Sequence, residues 1–128
     1  MIVFQLVCMA TAIFFEAGNQ PMAGKIAVGN VIMNRVNDYR YPQTPCSVVK
    51  QSKRSGCQFS YWCDGKPERA DIYSLTYKDS WRAATISYNK AVDASLGATH
   101  YHADYVYPHW AEQEKVTVRI AQHIFYRL

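Results

Sequence analysis

Glu16 closes an apolar run that reads Ile13-Phe14-Phe15-Glu16-Ala17, and no charged side chain precedes it. On a helix, Ile2, Leu6, Met9 and Ile13 recur at spacings of four, three and four, and the next step of three lands on Glu16. Burial and the negative end of the helix dipole would both favour the protonated carboxyl there. A carboxyl that holds its proton near neutral pH can serve as a general acid. The plain alternative is a residue that caps the helix, pairs with Arg35 or faces solvent. Acid-catalysed glycoside cleavage normally employs a second carboxylate, and Asp64, Asp104 and Glu112 are the candidates to accompany Glu16. A single carboxylate suffices where the sugar's own N-acetyl or 6-hydroxyl group supplies the second function.

Two other constellations carry chemistry of a different class. His100-Tyr101-His102 on a strand would put both imidazoles on one side, which suits a metal. It lacks a clear third ligand beyond Asp104 or a cysteine, so no metal and no cofactor is expected. Cys57 or Cys63 with a distant histidine would make a thiol amidase or peptidase. Neither cysteine stands at a helix N-terminus, where such thiols are commonly activated. The sequence contains no Gly-rich phosphate loop, no His-Glu-x-x-His and no Gly-x-Ser-x-Gly.

The 128 residues suit one domain, 1–128, large enough for a sizeable core. A net charge of +4 fits an anionic polymer such as a cell wall, or nucleic acid. The basic residues are scattered, with Lys50, Lys53 and Arg54 their only cluster, so nucleic acid is not expected as a partner. Ten tyrosines and three tryptophans are a surplus that can line a groove. Ala10-Thr11-Ala12 resembles a signal-peptidase site, yet no Lys or Arg precedes it. The apolar run is too short to span a bilayer and reads as a buried core helix. Cys8 within it reads as a small hydrophobe. One disulfide is expected among Cys46, Cys57 and Cys63 if the protein works outside the cytosol, with Cys57–Cys63 preferred.

The elements that must position these groups follow from periodicity and punctuation. A first helix over 2–17 is buried nearly all round and capped by Gly18; a second covers 21–37, with Pro21 in its first turn. Asn30 and Asn34 sit inside the second helix at a cost in propensity, which implies specific hydrogen bonds. Residues 38–69 are irregular apart from a helical turn at 46–51, and 58–62 reads as a short strand or extended loop. A third long helix spans 76–96 and stops at Gly97. The runs 98–101 and 116–125 make an antiparallel pair with a long connection.

Seven motifs occur in order: Ile13-Phe14-Phe15-Glu16-Ala17, Gly24-Lys25-Ile26-Ala27-Val28, Val31-Ile32-Met33-Asn34-Arg35-Val36, Cys46-Ser47-Val48-Val49, Cys57-Gln58-Phe59-Ser60, Cys63-Asp64-Gly65 and Ala98-Thr99-His100-Tyr101-His102. Together they resemble the SleB-like cell-wall hydrolase family of the spore cortex-lytic enzymes, which also occurs in proteobacteria and bacteriophages. The resemblance implies a lysozyme-like α+β domain, mainly helical with a small antiparallel β element. It implies cleavage of peptidoglycan between N-acetylmuramic acid and N-acetylglucosamine, by a lytic transglycosylase or muramidase. The family's essential glutamate maps onto Glu16. Gln58, Phe59, Ser60 and Tyr101 fall where groove-lining residues are expected, with Asn34 as support behind them. A monomer acting on the cell wall, in the periplasm or outside the cell, is the corresponding expectation. With no wall-binding domain or export signal in the sequence, a phage lysis protein or a trimmed catalytic domain fits. The competing readings are the Cys-His amidase or peptidase on stem peptides and a non-catalytic wall-binding module.

Overall fold

The computed structural model describes residues 2–53, 56–57, 59–63 and 70–128. Helix α1 (Ile2–Ala17) is the centrepiece, with α5 (Leu75–Tyr88), α3 (Pro45–Lys50) and α2 (Met22–Val36) packed against it. Helix α2 in turn packs on α5. Two short elements, β1 (Ser52–Lys53) and β2 (Gly56–Cys57), pair antiparallel, and a single turn α4 (Ser60–Cys63) follows. The C-terminal third forms a three-stranded antiparallel sheet, β3 (His100–Ala103), β4 (Val116–Ile120) and β5 (His123–Tyr126), in the order β3-β5-β4. The α+β expectation holds: helices around one core, with a small sheet beside them.

The core is built from the C-terminal half of α1 (Met9, Ala10, Ala12, Ile13), the face of α2 bearing Val28, Val31 and Ile32, and Phe59 and Phe125 from outside the helices. Small residues bring α2 and α5 close together. A Cβ on Gly29 would stand 2.2 Å from Ser87 Oγ and 2.9 Å from Ser87 Cβ, so only glycine fits.

Several expectations need correction. The first turns of α1 are not buried: Ile2, Val3 and Phe4 are each more than half exposed, and only the later turns enter the core. Cys8 is not a free hydrophobe. It forms a disulfide with Cys46, pinning α1 to α3 across a separation of 38 residues. Cys46 is therefore not the partner of Cys57 or Cys63, whose side chains lie outside those described. Gly18 caps by close approach and not by a left-handed backbone, since a Cβ there would lie 2.5 Å from the Phe14 carbonyl oxygen. Residues 60–63 are a helical turn, in place of the expected strand or extended loop.

Helix α5 ends at Tyr88, well before Gly97. Lys90 adopts φ +57°, and from there a loop held by side chains replaces the expected last turns. Asp93 accepts from the Ser95 and Gly97 backbone N–H groups, which competes directly with helical hydrogen bonding. Asn30 donates to Val92 O at 2.7 Å and accepts from Ala94 N at 2.8 Å. Asn34 donates to Ser95 Oγ and to Ala98 O. The two helical asparagines are thus satisfied by this loop. Finally, the 116–125 run is not one strand but the hairpin β4–β5, turned at Ala121 with φ +49°. No Gly or Asn marks that turn for a sequence reader.

Candidate active site

Glu16 occupies the last turn of α1, between the fully buried core residues Ile13 and Ala17. Phe14 and Phe15, just before it in sequence, line the same cleft as Glu16. Phe15 stacks on Tyr61 at 4.8 Å, and Phe14 sits edge-on to Phe15 at 5.2 Å while leaning on Tyr77. The Glu16 side chain is half-buried and its Oε1 atom is fully covered.

Beside it opens a cleft of about 300 Å³, at the small end of ligand-sized pockets. One wall is the α1–α2 corner, with Phe15, Glu16, Asn19 and Gln20. The rest of the described lining comes from the C-terminal third: Ala103 at the end of β3, Tyr105 just after it, Gln122 in the β4–β5 turn and His123 at the start of β5. Among the described residues that line it, Glu16 is the only acid. The walls are tied together across the sequence. Gln20 Nε2 donates to Gln122 Oε1 at 2.9 Å, and the Gln122 backbone N–H donates to Gln20 Oε1 at 3.1 Å. The backbone carbonyl of Gln20 accepts from the buried Lys25 ammonium, so the corner is fixed from behind as well.

Tyr101, on β3, is buried among Phe59, His123 and Phe125. Its hydroxyl is covered and has no hydrogen-bond partner among the described residues. Burial first, then the nearby Glu16 carboxylate, pushes the Tyr101 phenol well above its ordinary range, with Arg35 opposing. Glu16, Tyr101 and Arg35 thus share one electrostatic neighbourhood. Arg35 is buried, donates Nε–H to Thr99 O at 2.7 Å and lies over the Tyr41 ring.

The expected site residues distribute unevenly. Tyr101 stands next to Glu16, but as a buried neighbour. Phe59 has no exposed surface and packs its ring 6.4 Å from that of Tyr101, so it supports Tyr101 from behind and offers no sugar-facing ring. Asn34 is not beside the acid. It borders a separate cavity with Asp38, Arg40 and Arg127, and any support it lends passes through Ala98, two residues before β3. Gln58 and the Ser60 side chain lie outside those described. Of the companion acids considered, Asp104 is paired with Arg119 at 2.8 Å, Glu112 is exposed, and Asp64 lies outside the described residues.

His100 and His102 do share a side, as expected, but they turn toward Trp110. Both nitrogens of His102 are engaged: Nδ1 with Ala103 O and Nε2 with the Tyr126 hydroxyl, each at 2.7 Å. The pair builds an aromatic cluster. Asn19, Gln20, Gln122 and His123 are not marked by the sequence. They carry no motif, and they meet only because the hairpin turn folds back on the α1–α2 corner.

A family model described as Cell Wall Hydrolase matches residues 19–126. A spore cortex-lytic enzyme of Halalkalibacterium halodurans is 31% identical over 118 residues, covering 91% of this chain and 33% of that protein. One from Bacillus cereus is 28% identical over 118 residues, with 42% of its length covered. The chain thus spans between a third and a half of these relatives. Among solved structures, the catalytic domain of the germination-specific lytic transglycosylase SleB from Bacillus anthracis superposes with a TM-score of 0.76. It is 26% identical, and the match covers 96% of this chain and 93% of that one. The catalytic domain of the Bacillus cereus SleB protein gives a TM-score of 0.70 at 26% identity, over 96% of this chain and 89% of that one.

Proposed function

The chain belongs to the Cell Wall Hydrolase family, and from that premise we propose that it cleaves the glycan strands of peptidoglycan as a lytic transglycosylase, with Glu16 as the catalytic acid. One observation carries this reading: a half-buried carboxylate with one covered oxygen opens onto a ligand-sized cleft in which, among the described lining residues, it has no second acid.

The chemistry follows from a single carboxyl used twice. Protonated Glu16 gives its proton to the oxygen linking N-acetylmuramic acid C1 to N-acetylglucosamine O4. The C1–O4 bond breaks, the N-acetylglucosamine end leaves with a 4-hydroxyl, and positive charge develops at C1. The Glu16 carboxylate then takes the proton of the muramic acid 6-hydroxyl as that oxygen bonds to C1. The product is a 1,6-anhydro sugar, and the acid is regenerated. A water in place of the 6-hydroxyl would give the hydrolytic product of a muramidase. Similarity to the Bacillus anthracis lytic transglycosylase supports the first route, and so does the lack of a second acid among the described lining residues. The Cys8–Cys46 disulfide supports work in an oxidising compartment outside the cytosol. No helix among the described residues is long and apolar enough to cross a membrane.

The test is Glu16→Gln, which keeps shape and removes the proton. On soluble glycan strands kcat should fall by about 10²- to 10⁴-fold, the usual contribution of general acid–base catalysis, with thermal stability retained. Mass spectrometry of wild-type products should show anhydro-muramyl ends, lighter than reducing ends by one water. Full activity in the variant would remove Glu16 from the chemistry. Released stem peptides on intact glycan would instead favour a peptidoglycan amidase or peptidase.

A further inference from the structure

His123 opens strand β5 and lines the same cleft as Glu16. Its ring packs 5.3 Å from Tyr101 and edge-on to Phe125 at 6.2 Å. Only 6% of the residue is exposed, and Nδ1 is covered with no hydrogen-bond partner among the described residues. The same sheet provides a contrast. His102 is equally buried, yet both of its nitrogens are taken by protein atoms, as expected of a structural histidine. His123 keeps hydrogen-bonding capacity that the fold does not use, at the edge of the reacting cleft.

We propose that His123 is a catalytic-site residue that touches the glycan and binds it as an uncharged imidazole. The inference rests on the reading of Glu16 given above and names a second group for the same site. A neutral imidazole has one donor and one acceptor. Leaving Nδ1 as the bare acceptor puts the ring's proton on Nε2, which then donates to a sugar oxygen. Charge explains why the ring must stay neutral. The transition state is positive at the anomeric carbon, and an imidazolium lining the same cleft would oppose it. The surroundings favour the neutral form: burial lowers the pKa of His123, His102 lowers it further, and Asp104 works the other way. Asp104 is itself paired with Arg119, and Tyr101 presents an uncharged ring. Glu16 is the remaining ionisable group among the described lining residues besides the Tyr105 phenol.

The experiment compares wild type, His123→Phe and His123→Gln on soluble glycan strands across pH 4–8, with folding checked by thermal melts. Phenylalanine keeps the packing and removes the hydrogen bond, whereas glutamine keeps a donor. The Phe variant should raise KM by about three- to ten-fold, the worth of one net hydrogen bond, with kcat changed less. It should also lose the acidic inflection of kcat/KM that His123 protonation imposes, and Gln should recover part of the KM. A wild-type KM and pH profile in the Phe variant would overturn the proposal. If both variants fail to fold, the imidazole ¹⁵N shifts of His123 in the Glu16→Gln protein should move on adding a non-cleaved tetrasaccharide of alternating N-acetylglucosamine and N-acetylmuramic acid. Unmoved shifts at saturating oligosaccharide would overturn it. The two claims separate cleanly: an active Glu16→Gln protein sinks the acid assignment, while the KM and shift data judge His123 by themselves.

Discussion

Gln20 and Gln122, 102 residues apart in sequence, exchange hydrogen bonds in both directions in the lining of the cleft that holds Glu16. Gln20 is buried and sits between two helices, while Gln122 occupies the exposed tip of a hairpin. The contact joins the helical and sheet halves of the site.

Replacing Gln20 by Ala removes a buried amide and leaves its partners unmatched. The expected destabilisation is about 1–3 kcal/mol, read by chemical unfolding. Activity should fall more than stability predicts, because the β4–β5 turn would no longer hold its distance from Glu16. Activity per folded molecule equal to wild type would show that the pair is structural only.

The Cys8–Cys46 bridge links residues 38 apart in sequence. Replacing both cysteines by Ala should cost about 2–4 kcal/mol of stability while leaving turnover near wild type at low temperature, since neither sulfur borders the cleft. Melting in the presence and absence of reductant gives the same comparison on the unmodified protein.

Gly29→Ala should destabilise by about 1–3 kcal/mol through overpacking. The new methyl would meet Ser87, which is itself anchored to Ala83 O and Ala84 O on α5. Ser87→Ala in the same chain should recover part of the loss, and a double-mutant cycle measures how much.

Stability should also respond to pH through His123. Its folded pKa lies below the ordinary value of 6.5, so the unfolded chain binds the proton more readily. The neutral ring contributes fully above 6.5, and that contribution is lost as pH falls from there through the folded pKa. His123→Phe should flatten the unfolding free energy over this window. An unchanged slope would mean that the ring gains its proton without penalty.

Much of the fold is legible in the order of the residues. The apolar spacing that ends on Glu16 locates the acid, because a helix repeats its face every three to four residues and local periodicity survives folding. The two helical asparagines announce hydrogen bonds, though not to which loop. Where helix α5 stops is less legible. The Tyr77-Trp81-Ala84-Tyr88-Ala91 stripe continues past the true end at Tyr88, where Lys90 turns to φ +57° and the Asn30 and Asp93 side chains take up the backbone groups of the loop that follows.

The sequence alone determined the candidate acid, the helices around it and the family they spell, since these rest on local pattern and on motifs in register. Tertiary structure decided what surrounds the acid. Cys8 finds Cys46, Phe59 disappears beneath Tyr101, and Gln20, Gln122 and His123 converge on one cleft. Cys8 and Cys46, Phe59 and Tyr101, and Gln20 and Gln122 each lie tens of residues apart and share no spacing. Docking of the hairpin tip onto the α1–α2 corner brings Gln122 within hydrogen-bonding reach of Gln20 and sets His123 in the lining of the Glu16 cleft.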